Sequence, residues 1–317
     1  MLRLDDAWVW DSWPLDTGDG GEHHLFFLRA PRSLAPDDRH WNARIGHAVS
    51  PDLETWRVLP DALHPSSGPA FDDLATWTGS VVRGDDGTWN LFYSAVSRAE
   101  GGRVQRIGRA LSDDLLTWHR DPRQAGGAAL LEADPRWYET RELGAWREEA
   151  WRDPWVFRDP GGDGWHMLIT ARLRTGRTLE RGTIGHARSA DLLDWEVQPP
   201  LTAPAGFGQL EVAHTVRVDG RWVLVFCCLP PELDDERRAA TPATGMWSAP
   251  AGGPLGPFDL TAARPLADPT LYAAHLVTTA DGPALIGFRD LVDGAFVGEI
   301  DSPVAVRLAA DGALELA

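Results

Sequence analysis

The sequence has 317 residues and contains no lysine, so all 30 of its basic residues are arginines. This absence excludes a catalytic lysine and a Schiff base formed on one. Acidic residues number 47, which gives a formal net charge of −17. Because an acidic surface repels phosphate groups, neither nucleic acid nor an anionic membrane is expected as a partner, and a small neutral substrate is favoured.

Cysteine is almost absent as well. The two cysteines, Cys227 and Cys228, are adjacent, which predicts neither a disulfide framework nor a zinc site. No other group of residues has the spacing of metal ligands, so we expect no metal and no cofactor. Residues 1–6 lack the basic and apolar segments of a signal peptide, and the longest apolar run, 222–229, is too short to cross a bilayer. We therefore expect a cytoplasmic protein.

A repeated segment is the most informative feature of the sequence. The pattern Ile-Gly-His/Arg-Ala-x-Ser-x-Asp-Leu-x-x-Trp occurs at 45–56, 107–118 and 184–195, and a weaker copy begins at Gly245. Successive copies start 62 and 77 residues apart, which is enough for a four-stranded antiparallel unit with its turns. Between the copies lie alternating apolar segments joined by turn dipeptides such as Asp219-Gly220.

Five such units predict an all-β fold, a five-bladed β-propeller that forms a single domain over residues 1–317. A linear solenoid would also repeat, but it favours shorter periods than these. The predicted blades cover roughly 10–60, 76–125, 150–200, 210–265 and 270–315.

Side chains that recur from unit to unit are expected to serve the fold. The repeated tryptophans should pack between blades: Trp56, Trp118 and Trp195. The repeated aspartates should accept backbone hydrogen bonds in turns and take no part in catalysis: Asp52, Asp114 and Asp191. Functional residues should instead interrupt the repeat.

Three carboxylates that do not repeat stand at the starts of blades: Asp11, Asp153 and Glu211. Each lies among tryptophan, proline or aliphatic residues, which is unusual for a solvated surface. The first strands of the blades line the channel of a propeller, so these residues should converge at one mouth. Burial raises a carboxyl pKa and a nearby arginine lowers it, so one acid can stay protonated beside an ionised one. That combination is typical of glycoside hydrolysis.

At these residues the sequence resembles the five-bladed glycosidases of glycoside hydrolase families 32 and 68, the invertases and levansucrases. The segments that carry the resemblance are Trp-Asp-Ser-Trp-Pro at 10–14, Trp-Thr-Gly-Ser at 77–80, Arg-Asp-Pro at 152–154 and Glu211. They occur in the order of the family, one to a blade. Val212 replaces the cysteine of invertases and the arginine of levansucrases, and Gln209 replaces an acid of levansucrases, so the chain resembles a divergent member.

The resemblance implies that Asp11 is the nucleophile, that Glu211 is the acid/base and that Asp153, kept ionised by Arg152, stabilises the transition state. The Asp11 and Glu211 carboxyls should then lie about 5–5.5 Å apart for retention of configuration, or about 6.5–9.5 Å apart for inversion. Other glutamates before the Arg-Asp-Pro triplet compete with Glu211: Glu139, Glu142, Glu148 and Glu149. The residues expected to contact substrate are Trp10, Trp77, Ser80, Arg152, His214 and His275.

The implied function is that of a retaining glycoside hydrolase acting on β-fructofuranosides, either sucrose or short fructo-oligosaccharides. Hydrolysis and transfer to a second sugar share their first step, so both stay open. Two alternatives are an inverting arabinofuranosidase or xylosidase of the family 43 type and a sugar-binding propeller without catalysis. The insert at 133–150 is expected to narrow the pocket to short substrates by bringing Trp137, Tyr138 and Trp146 to its mouth.

Overall fold

Five four-stranded antiparallel β-sheets are arranged as the blades of a propeller, which confirms the predicted all-β, five-bladed fold. The computed structural model describes residues 1–18, 20–144, 146–241 and 245–317. Within those residues, no helix is long and apolar enough to cross a membrane. Four sheets follow chain order, and the fifth departs from it only by a hairpin inserted between its second and third strands.

The strands follow one another blade by blade. Blade one contains β1 (Ala7–Leu15), β2 (His23–Pro31), β3 (Arg44–Ser50) and β4 (Arg57–Leu63). Blade two contains β5 (Ala75–Arg83), β6 (Trp89–Val96), β7 (Gln105–Ser112) and β8 (His119–Arg120). Blade three contains β9 (Trp151–Arg158), β10 (Trp165–Arg172), β11 (Gly182–Ser189) and β12 (Trp195–Gln198).

Blade four contains β13 (Glu211–Val218), β14 (Arg221–Cys227), β15 (Met246–Ala251) and β16 (Arg264–Pro265). Blade five contains β17 (Leu271–Thr279), β18 (Gly282–Arg289), β21 (Val304–Leu308) and β22 (Leu314–Leu316), with the hairpin β19 (Leu291–Val292) and β20 (Ala295–Phe296). The α-helix α1 spans Asp235–Ala240, and short 3-10 helices span Pro36–Asn42, Pro122–Gln124, Thr178–Glu180, Pro230–Glu232 and Leu260–Ala262.

The repeated segment forms the third strand of a blade and the turn that follows it. The repeated aspartates accept hydrogen bonds from backbone N–H groups two and three residues further on: Asp52, Asp114 and Asp191. Trp118 packs edge-on against Phe26 of blade one, with 5.7 Å between the ring centroids. The structure therefore confirms the turn role of the aspartates, and Trp118 lies between two blades as predicted.

Two further features hold the ring of blades together. Leu2 and Ile300 exchange backbone hydrogen bonds of 2.8 and 2.9 Å, which tie the start of the chain to blade five beside blade one. Large buried aromatic side chains, among them Trp13, Trp151 and Trp247, fill the core. Burial of such rings is a major stabilising contribution because each removes a large apolar area from water.

The first strand of every blade is interrupted by a β-bulge at an equivalent position. Its pairing with the second strand shifts by one residue after Trp10, Trp77, Arg152, Glu211 and Tyr272. Directly after three of these residues, the φ angles are 57° at Asp153, 51° at Val212 and 45° at Ala273. This left-handed region is costly for residues other than glycine. Bulges change the direction of side chains and are frequent beside active sites. The residues around the five bulges are therefore candidates for the functional site.

Candidate active site

The five bulges surround a cavity of about 430 Å³. All five residues that precede a bulge line it: Trp10, Trp77, Arg152, Glu211 and Tyr272. The residues that follow them in four of the blades, Asp11, Thr78, Asp153 and Val212, line it too. The structure thus brings Asp11, Asp153 and Glu211 into one cavity. Its volume lies within the range of sites for small molecules.

Asp11 follows Trp10 at the bulge of β1 and receives a hydrogen bond from Thr78 of blade two. The Thr78 hydroxyl donates to Asp11 Oδ2 at 2.5 Å. Burial raises the pKa of Asp11 from 3.8 to about 7, and the negative charges of Asp153 and Glu211 act in the same direction. The hydrogen bond from Thr78 and the positive charge of Arg39 oppose this rise. Near neutral pH, Asp11 can therefore exist both as a carboxylate and as an acid.

Asp153 lies at the bulge of β9 and is held on several sides. Its Oδ2 accepts hydrogen bonds from Thr170 Oγ1 at 2.8 Å and from the backbone N–H of Val212 at 3.2 Å. Its own N–H donates to Ser94 Oγ at 2.7 Å. Burial raises the pKa of the Asp153 carboxyl, and the neighbouring guanidinium of Arg152 opposes that rise. These bonds fix the carboxylate in one orientation in spite of its strained backbone.

Glu211 is the first residue of β13, just before the bulge, and it receives two side-chain hydrogen bonds. Arg152 Nη2 donates to Oε1, and the hydroxyl of Tyr272 donates to Oε2. Arg152 also donates to Gln209 at 2.8 Å, and its Nε lies 3.5 Å from Asp153. Arg152 therefore links the two carboxylates, and its closer contact is with Glu211. The sequence predicts a contact of Arg152 with Asp153 but not the one with Glu211.

Of the six residues expected to contact substrate, Trp10, Trp77 and Arg152 line the cavity and three do not. Ser80 is buried between blades two and three. Its hydroxyl donates to Pro154 O at 2.6 Å and accepts from the Val156 N–H at 3.0 Å. The expectation for Ser80 is corrected, because both hydrogen-bonding functions of its side chain join the two blades.

His214 and His275 also lie outside the cavity lining. Their rings stack at 4.4 Å between centroids, and each packs against Trp155 at 5.3 Å. Burial lowers the pKa of His214 to about 4 and lowers that of His275 well below its ordinary value. The expectation of substrate contact is therefore corrected. Both residues follow the bulge in their strands, where the chain has turned these side chains into the core.

The four glutamates that were alternative candidates for the acid/base lie in environments different from that of Glu211. Glu139 is buried with Arg172, 3.1 Å away, and Glu149 accepts a hydrogen bond from the backbone of Arg141 at 2.7 Å. Glu142 is exposed. Glu148 does line the cavity, but it forms an ion pair with Arg147 at 3.0 Å near the rim.

The insert at 133–150 contributes charge to the cavity and no aromatic ring. Trp137, Tyr138 and Trp146 do not appear in its lining, which corrects the expectation that they narrow the mouth. Tyr138 is buried and donates to Gln198 O at 2.7 Å, and Trp146 packs against the Arg172 guanidinium. Ala145 lies outside the described residues.

Sequence reasoning did not select Arg39, Glu232 or Tyr272, which all line the cavity. A signal existed for Tyr272. The segments 211–214 and 272–275 align as Glu-Val-Ala-His and Tyr-Ala-Ala-His, which places Tyr272 at the position of Glu211. Arg39 and Glu232 belong to 3-10 helices in loops that do not repeat, so no pattern indicated them.

The cavity offers carboxylates, guanidinium groups and aromatic rings for recognition. Among the described residues, no three or more His, Cys, Asp or Glu side chains are grouped so that they could hold a metal ion. The carboxyl groups of Asp11, Asp153 and Glu211 can supply nucleophilic and acid/base chemistry. A nucleophilic acid and a second acid that exchanges a proton can cleave a glycosidic bond.

A five-bladed propeller whose channel mouth holds these three carboxylates has the architecture of a glycoside hydrolase. The chain belongs to glycosyl hydrolase family 32: residues 17–252 match the model for the N-terminal domain of that family. This range contains Asp153 and Glu211, and Asp11 precedes it. The membership confirms the resemblance expected from the sequence.

Individual relatives agree with the family. The extracellular sucrase of Zymomonas mobilis is 26% identical over 99% of this chain and 82% of its own. The levansucrase of Rahnella aquatilis is 24% identical over 87% of this chain and 77% of its own. A structure of inulosucrase from Halalkalicoccus jeotgali bound to kestose superposes with a TM-score of 0.79 at 24% identity, covering 98% of this chain and 87% of that one. This likeness supports the fold.

The same comparison corrects the expected location. The sucrases of two Zymomonas mobilis strains that match 99% of this chain are named extracellular. The expectation of a cytoplasmic protein, which depended on the composition of residues 1–6, was wrong.

Proposed function

We propose that the protein cleaves β-fructofuranosides such as sucrose and short fructo-oligosaccharides with retention of configuration. The observation that carries this proposal is the convergence of Asp11, Asp153 and Glu211 on one cavity in a member of family 32. The sucrase and levansucrase relatives support a fructosyl substrate. The extracellular sucrases also support an extracellular place of action.

In the first step, the ionised carboxylate of Asp11 attacks the anomeric carbon of the fructosyl unit. The bond to the leaving oxygen breaks, and Glu211 donates its proton to that oxygen as the second sugar leaves. The fructosyl unit is then held as an ester of Asp11. In the second step, Glu211 takes a proton from water while the water oxygen attacks the anomeric carbon and releases Asp11.

The surrounding residues account for the division of roles. Asp153 is fixed by Thr170 and the Val212 N–H, so it can accept hydrogen bonds from sugar hydroxyls and stabilise positive charge on the ring. Tyr272 and Arg152 keep the Glu211 carboxyl in a defined orientation. Trp10 and Trp77 supply apolar faces for the sugar.

Hydrolysis and transfer differ only in the acceptor that meets the fructosyl ester. Water gives free fructose, and a hydroxyl of another sugar gives a longer fructoside. Relatives named sucrase and levansucrase support both outcomes. We therefore propose one covalent intermediate with two acceptors.

The test is proton NMR of the protein incubated with sucrose and, separately, with kestose. We expect fructose to be released first as the β-furanose, which is the retained anomer, and Asp11→Asn to abolish the reaction. Release of the α-furanose would favour an inverting enzyme of the family 43 type. Saturable binding of sucrose without turnover would favour a sugar-binding propeller, and either result would refute the proposal.

A further inference from the structure

Glu232 is a buried cavity residue that the two-step reaction does not use. It ends the 3-10 helix Pro230–Glu232 between β14 and α1, and only 6% of the residue is exposed. One carboxylate oxygen, Oε1, lies 3.3 Å from Arg147 Nη2. Among the described residues, the other oxygen, Oε2, has no hydrogen-bond partner. A buried carboxylate oxygen without a partner is costly, so this atom is suited to a partner supplied by a ligand.

The main chain holds Glu232 rigidly in its place. Its carbonyl accepts a hydrogen bond from the Gly208 N–H at 2.7 Å, and its N–H donates to Leu229 O at 2.9 Å. A Cβ on Gly208 would lie 2.7 Å from the Glu232 carbonyl oxygen, so the close approach depends on glycine. The position is therefore fixed before any ligand binds, which favours specific recognition.

Arg147 completes a polar group at the rim. It comes from the insert before blade three, and its guanidinium contacts Glu148 at 3.0 Å as well as Glu232 at 3.3 Å. All three side chains line the cavity, and that of Arg147 is 69% exposed. None of its members belongs to a first strand, so the group is separate from the residues at the bulges.

The polar group lies on the Glu211 side of the cavity, because the main chain of Glu232 is hydrogen-bonded to Gly208, three residues before Glu211. The negative charge of Glu211 adds to the effect of burial in raising the pKa of Glu232 to about 7, and the positive charge of Arg152 opposes it. In a retaining mechanism, the leaving oxygen departs toward the acid/base and away from the nucleophile. A second sugar unit attached to that oxygen would therefore meet Glu232 and Arg147.

We propose that Glu232, together with Arg147, binds the hydroxyl groups of the second sugar, which is the leaving unit in cleavage and the acceptor in transfer. This inference rests on the proposed function and assigns Glu232 the role of a specificity-determining residue. Sugar hydroxyls suit the group because they can donate to the free Oε2 and accept from the guanidinium. Two carboxylates beside one arginine would disfavour a phosphorylated second sugar.

Two substrates separate recognition of the second sugar from the chemistry. Sucrose carries a second sugar, whereas methyl β-D-fructofuranoside has only a methyl group in its place. For Glu232→Ala, we expect kcat/KM for sucrose to fall about 10- to 100-fold, which is the usual effect of losing a hydrogen bond to a charged group. The kcat/KM for methyl β-D-fructofuranoside should stay within about twofold of the parent value. This substrate has no second sugar, so it has no hydrogen bond to Glu232 that the substitution could remove.

A second readout follows the acceptor. In concentrated sucrose, Glu232→Ala should make less kestose relative to free fructose, because the acceptor sugar uses the same group. Glu232→Gln keeps the shape of the side chain and one acceptor oxygen, so it should lie between the parent and Glu232→Ala in both assays. Glu196→Gln, which removes an exposed carboxylate of β12, is the matched control and should behave as the parent.

The outcomes are distinct. An equal fall for both substrates would overturn the inference, because Glu232 would then act on the chemistry at Glu211. Unchanged kinetics and an unchanged ratio of kestose to fructose in both variants would overturn it as well. A parent protein that cleaves neither substrate would instead refute the proposed function on which the inference rests. If Glu232→Ala fails to fold, the Gln variant decides the result alone.

Discussion

Asp11 should make the protein less stable as the pH rises, because its pKa is higher in the folded protein than in the unfolded chain. Burial raises that pKa from 3.8 to about 7. A group of this kind contributes its full stabilisation below the unfolded pKa and loses it as the pH rises through the folded pKa. Asp11→Asn removes the ionisation, so the variant should gain stability relative to the parent between about pH 4 and pH 7.

The structure sets an upper limit on this gain. Each pKa unit corresponds to about 1.4 kcal/mol, so a rise of about three units corresponds to about 4 kcal/mol. Asp11 lines an open cavity and is not completely buried, which reduces the penalty for charging it. We therefore expect a gain of about 2–4 kcal/mol in the free energy of unfolding above pH 7.

The assay is urea unfolding of the parent and of Asp11→Asn at intervals from pH 4 to pH 9. Asp52→Asn is a control of opposite sign, because turn hydrogen bonds from the backbone of Thr55 and Glu54 lower the pKa of Asp52 to about 2. Its difference from the parent should not change between pH 5 and pH 9. A difference for Asp11→Asn that stays constant over the range, or that shrinks as the pH rises, would show that the pKa of Asp11 is not raised by folding.

Three further predictions concern single hydrogen bonds and one buried ion pair. Thr78→Val removes a hydrogen bond that lowers the Asp11 pKa, so the acidic limb of the pH profile of kcat/KM should move up by about one pH unit. An acidic limb at the same pH as in the parent would contradict this prediction. Tyr272→Phe leaves the Glu211 carboxylate with one side-chain donor, so kcat for sucrose should fall about tenfold with little change in KM. An equal change in kcat and in KM would argue against a role of Tyr272 in orienting Glu211. Arg109→Leu removes the ion-pair partner of the buried Asp121, whose carboxylate then keeps, among the described residues, only the hydrogen bond from the Arg123 N–H. The free energy of unfolding, measured by thermal unfolding, should fall by about 3–5 kcal/mol, and a loss below about 1 kcal/mol would show that the pair contributes little.

The propeller could be predicted because its signals are local and repeated. In each copy the aspartate and the turn residues that donate to it are a few positions apart in the chain, as Asp114 and Thr117 are. The alternation of apolar residues around Asp219-Gly220 indicates a hairpin without any knowledge of the neighbouring blades. Together, the copies of the segment and the hairpins between them indicate five units and hence five sheets.

Part of the site could be predicted for a related reason. Asp11, Asp153 and Glu211 interrupt the repeat at blade starts, and first strands converge on one channel in any propeller. Asp11 and Asp153 lie at the bulges, whereas Glu211 precedes one. That offset of one residue depends on strand pairing and could not be read from spacing.

The misplaced residues have the same cause. Ser80, His214 and His275 share strands with cavity residues, but each comes after a bulge. An extra residue in a strand reverses which face the following side chains occupy, so their direction depends on the register with the second strand. Only the paired sheet shows that register.

The all-β fold, the five repeated units and the three acids that interrupt them can be predicted from the sequence, because they depend on contacts between near neighbours and on a repeated pattern. Which side chains meet in the cavity depends instead on tertiary packing. Glu232 and Arg147 lie 85 positions apart and belong to segments without a repeat, yet they contact each other at 3.3 Å. Such contacts follow from the packing of whole blades, and no local pattern in the chain encodes them.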